Sequence, residues 1–305
     1  MSLRVSVVIT NHNYAGLVGD AIAGVRAQAR PVDELIIVDD GSVDDSLVRL
    51  QPLCEGRADT RLIVQANGGQ LAAMIAGTRA ASGDLVCYLD ADDIWEPHYV
   101  ATLVDHYQSS HDVGFIYTNL RYFGGRDGLW SPRRQDHDHG ITVLETAYGH
   151  CWIGAPTSAL SMRREVALRA LDVPAALLPD WRIRGDDVLI YGASLAAAGK
   201  RFLAEPLVRY RIHDNNQWAS RVFSPARQLQ HDWAVRRLLA HYRQAHGIDR
   251  DALDCMKQEF RTKPAPTADE FRLALRLARQ APQGLGRRLE RMLAIWRHYR
   301  RTRRR

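Results

Sequence analysis

Residues 85–93 read Leu85-Val86-Cys87-Tyr88-Leu89-Asp90-Ala91-Asp92-Asp93, an apolar run that passes directly into a cluster of carboxylates. A short, unbroken apolar segment of this kind reads as a strand buried on both faces, the habit of parallel sheets. In an extended chain, residues two apart share a face. Asp90 and Asp92 therefore present their carboxylates together while Ala91 points away. Two adjacent hard oxygen donors suit Mg²⁺ or Mn²⁺, which binds through one or two carboxylates together with phosphate oxygens and water. Alone, such a pair is better explained by a solvated acidic turn, so its surroundings decide its meaning.

Upstream, residues 5–9 (Val-Ser-Val-Val-Ile), 35–38 (Leu-Ile-Ile-Val) and 61–64 form further short apolar runs. Leu17, Ala21, Ile22 and Val25 recur at helical spacing, and residues 70–81 form an alanine-rich helical stretch. The order strand, helix, strand, strand, helix, strand predicts βαβ units around a parallel sheet. Polar residues gather where three of these strands end: Thr10 and Asn11, Asp39 and Asp40, Asp90 and Asp92. In open parallel sheets the ligand crevice lies beyond those carboxyl ends.

Downstream the order is less regular. A helix is expected at 98–109, a strand at 114–118, a polar loop at 130–140, a strand at 157–162, a helix at 188–198 and an extended segment at 202–213. Beyond Ser224-Pro225 the pattern is helical, over 228–245, 252–260, 269–278 and 286–300. The predicted organisation is an α/β domain over residues 1–219 and a helical extension over 220–305.

Composition narrows the class. With 46% hydrophobic and 25% charged residues in 305, the chain has the make-up of a folded globular protein. Cys54, Cys87, Cys151 and Cys255 are widely spaced, without the pairing of a zinc or redox motif, and read as free thiols of a reducing compartment. Apolar runs fall far short of the about 20 residues that span a bilayer, and no basic leader precedes the first strand. The expected location is cytoplasmic. Residues 287–305 hold nine arginines and one glutamate, so they supply +8 against a chain total of +6 and leave the rest at −2. The basicity belongs to a tail rather than to a folded basic face, which argues against nucleic acid as a partner.

Taken together, four segments resemble the family 2 glycosyltransferases: residues 5–13 (Val-Ser-Val-Val-Ile-Thr-Asn-His-Asn), residues 34–42 with Asp44, Asn67-Gly68-Gly69 through Ala81-Ser82-Gly83, and residues 88–93. The likeness is strong to residue 97 and looser from there to His213. It implies an α/β GT-A fold, a mainly parallel mixed sheet that binds a nucleotide-diphosphate sugar, here with the helical extension added. By that resemblance Thr10, Asn11, Asn13 and Asp39 meet the nucleotide and Asn67, Gly68 and Gly69 approach its sugar. Asp90, Ala91 and Asp92 meet the diphosphate. Asp92 and Asp90 would hold the metal, with His213 of Arg209-Tyr210-Arg211-Ile212-His213 reaching it from the segment that continues to Asn215 and Asn216.

Inverting members place a general base in an acidic pair at a helix start. Arg184-Gly185-Asp186-Asp187-Val188 matches, with Asp187 as the better base and Asp186 one register away. An ordinary acidic N-terminal turn is the plainer reading of the same residues. Gly154-Ala155-Pro156-Thr157-Ser158 falls on the acceptor side. Three places depart from the family pattern, one of them Asp186, where a glutamate is usual. His12 stands where tyrosine is usual, and Met74-Ile75 replaces a usual Arg-Asn, leaving a polar contact near the phosphates to come from elsewhere.

The resemblance implies transfer of a sugar, most simply from a UDP-type donor, to a hydroxyl of a carbohydrate or lipid-linked acceptor in polysaccharide or glycolipid synthesis. The last helix, with Leu285, Leu289, Met292, Leu293, Ile295 and Trp296 among arginines, fits equally a lipid surface at the inner membrane face and a packed helix with a solvated end. Two other classes remain in view. A nucleotidyltransferase would carry a glycine-rich phosphate loop near the N-terminus, and residues 5–20 have none; a non-catalytic nucleotide-sugar or nucleic-acid binder would not require the carboxylates at 90, 92 and 186–187.

Overall fold

The computed structural model describes residues 3–214, 224–282 and 284–303. The predicted boundary at 219/220 lies outside these residues, as do Asn215 and Asn216. In chain order the first half comprises β1 (Val5–Asn11), α1 (Val18–Arg26), β2 (Glu34–Asp40), α2 (Ser46–Cys54), β3 (Thr60–Gln65), α3 (Gln70–Ala80), β4 (Leu85–Asp90), β5 (Ile94–Trp95) and α4 (Tyr99–Ser109). There follow β6 (Val113–Gly124), β7 (Gly128–Leu129), β8 (His137–Gly140), α5 (Val143–Gly149), β9 (Leu160–Arg163), α6 (Arg164–Ala170), α7 (Gly185–Leu195) and β10 (Gly199–Ile212). Helices α8 (Pro225–Ala245), α9 (Met256–Arg261), α10 (Ala268–Gln280) and α11 (Leu285–Thr302) complete the chain.

One mixed sheet runs β3-β2-β1-β4-β9-β6-β10-β5, with β7 and β8 attached to its second half. Its first four strands pair parallel, and β9 enters antiparallel beside β4. The chain builds outward from β1 to β3, then crosses back to lay β4 on the other side of β1. That reversal is a topological switch point, where loops diverge and leave a crevice. The register sets Thr10 opposite Asp90 and Asn11 opposite Asp39, bringing the strand-end residues to one edge.

Helix α3 is seated on this edge by a close approach. A Cβ on Gly77 would lie 2.4 Å from Val8 Cγ1 of β1 and 3.2 Å from Val38 Cγ2 of β2. Alanine favours helix over glycine by about 1 kcal/mol, but overpacking of this kind costs about 1–3 kcal/mol. Gly77→Ala is therefore expected to lower the urea midpoint of unfolding; an unchanged or raised midpoint would mean that α3 lifts off the strands freely.

The structure adds elements that the apolar pattern did not give. Helix α2 carries an internal proline and buries only Ser46 and Leu50, so it has little apolar stripe to detect. Residues 137–140 of the expected loop pair with β10 as β8. The extended segment proves to be one 14-residue strand, β10, whose register shifts at Pro206, where the ring removes a ladder donor.

Helix α8 belongs to the main core: Leu238, Leu239 and Tyr242 are buried there, and the Tyr242 hydroxyl donates to the Ala170 carbonyl. A second cluster gathers Leu253, Met256, Phe260, Leu277 and Ile295 from α9, α10, α11 and the turn before them, with Leu144 of α5. The four cysteines are free. Among the described residues no helix is long and apolar enough to cross a membrane.

Candidate active site

A cleft of about 680 Å³ opens at the switch point, a size that suits a small-molecule ligand. Thr10, Asn11, Asn67, Gly69, Asp90, Ala91, Asp92 and Asp186, all read as site residues from the sequence, line it. Asn13, Asp39, Gly68, Asp187 and His213 do not line it, but each is bonded to a residue that does or to its supporting loop.

The acidic end is built by β4. Asp90, Asp92 and Asp93 bring carboxylate oxygens within 4.8 Å of one another. Burial, with the charges of Asp92 and Asp186, pushes the Asp90 carboxyl up to about 7. Burial likewise raises Asp92, opposed by the hydrogen bond and charge of His213, whose Nε2 lies 3.1 Å from Asp92 Oδ2. A site that holds its own carboxylates in unfavourable proximity is one that a divalent cation would relieve. Asp93, which the sequence reading did not place in the site, is held by the fold: its oxygens accept from the Ser158 hydroxyl at 2.6 Å and the Arg211 amide at 2.8 Å. Asp90 and Asp92 are thus the carboxylates open to a ligand, with His213 beside them.

At the other end the acidic pair after β2 divides its work. Asp39 is fully buried and accepts from Asn11 Nδ2 at 2.8 Å and from the Ser42 amide and hydroxyl at 3.0 and 2.7 Å. Its carboxylate binds the turn that Asn13 also joins, through the Asn13 amide to Ser42 Oγ at 2.9 Å. Asp40 instead reaches the cleft and accepts from the Gly68 and Gly69 amides at 2.8 and 2.7 Å. His12 also lines the cleft, with Nδ1 2.9 Å from the Asp40 carbonyl and Nε2 3.0 Å from Asn67 Nδ2.

Gly69 has φ of +91°, and a Cβ there would fall 2.5 Å from the Arg182 Cα. Both the backbone conformation and the close approach require glycine. The approach brings Arg182 into the cleft, where it donates to Asn67. Met74, at the family's usual arginine position, is fully buried against the start of α7.

Gln70 is the connection that sequence reasoning missed. Its Nε2 donates to Asp90 Oδ1 at 3.0 Å and Thr157 Oγ1 at 3.2 Å, and its Oε1 accepts the Gly185 amide at 2.9 Å. One amide therefore ties the β4 carboxylates, the 154–158 segment and the N-terminus of α7 together. Its position directly after Gly69 was the available signal.

The helix-start pair splits as the β2 pair does. Asp186 lines the cleft on the Asp90 side, while Asp187 is fully buried. Asp187 Oδ1 accepts from Trp152 Nε1 at 2.6 Å and Arg184 Nη2 at 3.0 Å, and Oδ2 pairs with Arg184 Nε at 2.9 Å. Trp152 and Arg184 themselves line the cleft, so Asp187 lies one side chain behind its surface. Burial and the neighbouring Asp186 push its carboxyl up to about 7, against the pull of Arg184 and Trp152. Arg184 adopts φ of +71°, a left-handed backbone rare outside glycine that marks a stressed position at the site.

A carboxylate pair at a switch point, with a second pair at a helix start nearby, fits the GT-A architecture, and the chain belongs to glycosyl transferase family 2, whose model matches residues 6–171. It is similar to the uncharacterized glycosyltransferase alr2836 of Nostoc sp., 37% identical over 234 residues that make up 74% of this chain and 70% of that one. It is also similar to the undecaprenyl-phosphate 4-deoxy-4-formamido-L-arabinose transferase of Pseudomonas paraeruginosa, 37% identical over 132 residues. That match covers 41% of this chain and only 38% of the relative. Among solved structures, S. aureus TarS 1-349 in complex with UDP-GlcNAc superposes with a TM-score of 0.58 at 15% identity, over 98% of this chain and 90% of that one. The same fragment with UDP gives 0.59. At this identity the likeness establishes the fold, and the protein is a glycosyltransferase of that fold.

Proposed function

We propose that the enzyme transfers a sugar from a UDP-type donor, with inversion, to a hydroxyl of a lipid-linked or carbohydrate acceptor in polysaccharide or glycolipid synthesis, with residues 1–219 as its catalytic domain. The observation that carries this reading is the common cleft of Thr10, Asp90, Asp92 and Asp186, with Asp187 directly behind it and Gln70 linking β4 to the start of α7. The complexes of TarS with UDP and UDP-GlcNAc support a uridine donor. The relative named for undecaprenyl phosphate supports a lipid-linked acceptor.

Asp90, Asp92 and His213 would hold Mg²⁺ or Mn²⁺, which when bound supplies Lewis-acid stabilisation of the charge growing on a diphosphate leaving group. Arg182, open to the cleft, takes the polar role that Met74 leaves vacant. The nucleotide lies along Thr10, Asn11, Asp40 and the Asn67-Gly68-Gly69 turn; Asp39 and Asn13 act through the loop they hold.

Asp187 is the general base and Asp186 faces the donor. In an inverting displacement the base must approach from the side opposite the leaving diphosphate. Asp186 is close enough to the metal side for its charge to be felt at Asp90, whereas Asp187 lies on the Trp152 side. The acceptor hydroxyl reaches Asp187 by taking the place of the Trp152 indole N–H.

Helix α11 supports contact with the inner membrane face. Leu285, Leu289, Leu293 and Trp296 are exposed along one stripe, beside a surplus of arginine. The donor reading is tested by thermal-shift measurement with UDP, GDP, dTDP and CMP, each with and without Mn²⁺. The expected result is the largest stabilisation by UDP, and only with the metal. Stabilisation by none of the four defeats the reading; stabilisation by GDP alone would reassign the base.

A further inference from the structure

Away from the cleft, β8 supplies a second constellation that the transfer reaction does not use. His137 and His139 are two apart on a strand, so their imidazoles share a face. Both meet Glu270 in the first turn of α10, and the donor atoms of the three residues lie within 4.8 Å of one another. His137 Nε2 lies 3.1 and 3.2 Å from the two Glu270 oxygens, and His139 Nδ1 lies 3.3 Å from Oε1.

These separations are informative. Hydrogen bonds to a carboxylate are usually about 2.7–2.9 Å when charge-assisted. Four ligands at about 2.0–2.1 Å around a tetrahedral ion sit instead about 3.3–3.4 Å from one another. The two imidazole nitrogens stand 3.1 and 3.3 Å from Glu270 Oε1, near the edge of such a tetrahedron, and all three donors lie within 4.8 Å of one another.

The orientation of the surroundings agrees. His139 Nε2 is 2.7 Å from the Tyr117 hydroxyl, which fixes the ring so that Nδ1 faces Glu270, as an outer partner does for a ligating imidazole. Next to the cluster lies one buried ammonium, Lys263. Lys263 Nζ is shared, 3.2 Å from Glu270 Oε1 and 3.1 Å from Glu145 Oε2. Glu145 Oε1 is buried without a hydrogen-bond partner among the described residues, so it can take the ammonium fully if Glu270 turns to a cation.

We propose that His137, His139 and Glu270 form a structural site for a divalent transition metal, Zn²⁺ by its two imidazoles and one carboxylate, with water as the fourth ligand. The ion clamps α10 of the C-terminal helices to β8 of the catalytic sheet.

The test uses the full-length chain, freed of any histidine tag and carrying Asp92→Asn so that the cleft does not contribute. After exchange into Co²⁺, the expected result is one cobalt per chain with the visible ligand-field band of a four-coordinate nitrogen and oxygen site, competed away by Zn²⁺ and absent in a further His139→Ala variant. Thermal unfolding should fall on chelation with EDTA and recover with Zn²⁺. Absence of the band in the Asp92→Asn chain overturns the proposal, as does a band that survives His139→Ala. If His139→Ala fails to fold, the EDTA and Zn²⁺ response of the Asp92→Asn chain decides alone, and an unfolding temperature indifferent to both overturns it.

Discussion

Asp187→Asn is expected to lower kcat about 10²- to 10⁴-fold, the range that a positioned base supplies, while donor nucleotide affinity stays at the wild-type value. Asparagine preserves the size of the side chain, and its carbonyl oxygen can still accept from Trp152 Nε1 as Asp187 does. What is lost is the ability to take a proton. Asp186→Asn should instead weaken the donor complex, because Asp186 is the member of the pair that lines the cleft. Single-turnover transfer rates and nucleotide titrations on both variants check this. Full turnover in Asp187→Asn with loss in Asp186→Asn would exchange the two roles.

The same residue predicts a pH profile. Its carboxyl is raised to about 7 by burial and by Asp186, and a base works when ionised, so kcat/KM should climb as pH rises through about 7. The residual activity of Asp187→Asn should lack that limb. Stability runs the other way. The folded-state value exceeds the unfolded one of about 3.9, so the contribution of this group is present at low pH and is lost as pH rises through the folded value.

The strand-end residues were legible because parallel strands impose register. Once Val5–Asn11 and Leu85–Asp90 are strands on either side of a reversal, Thr10 and Asp90 must lie at one edge. Within each acidic pair the sequence was less informative. Which of Asp39 and Asp40, or of Asp186 and Asp187, enters the cleft depends on turns whose partners are remote: Ser42 and Asn11 capture Asp39, while Trp152 and Arg184 capture Asp187. Gln70 and Arg182 were invisible for a similar reason, since their roles rest on contacts spanning more than a hundred residues, to Gly185 and Asn67. Helix α8 shows the limit of a pattern that reads only amphipathicity. Its sequence announces a helix, but only packing reveals that Leu238 and Tyr242 are buried in the main core.

Asp92→Asn is expected to abolish the Mn²⁺-dependent part of nucleotide stabilisation and to cut kcat/KM by several kcal/mol of transition-state stabilisation, about a hundredfold or more. The argument rests on the contrast with Asp93. Both carboxyls are raised by burial, yet Asp93 is engaged by the Ser158 hydroxyl and the Arg211 amide, whereas Asp92 lines the cleft and faces His213. Asparagine at 92 retains a partner for His213 and removes the charge that would meet a cation. Asparagine at 93 leaves that charge in place and disturbs the join between β4 and the end of β10. The two variants should therefore separate cleanly: Asp92→Asn keeps the wild-type unfolding temperature without ligand and loses the metal response, while Asp93→Asn unfolds earlier and keeps it. Calorimetric titration of Mn²⁺ with UDP into each chain makes the comparison. A metal response undiminished in Asp92→Asn would mean that β4 positions the diphosphate through hydrogen bonds and that the cation is held elsewhere.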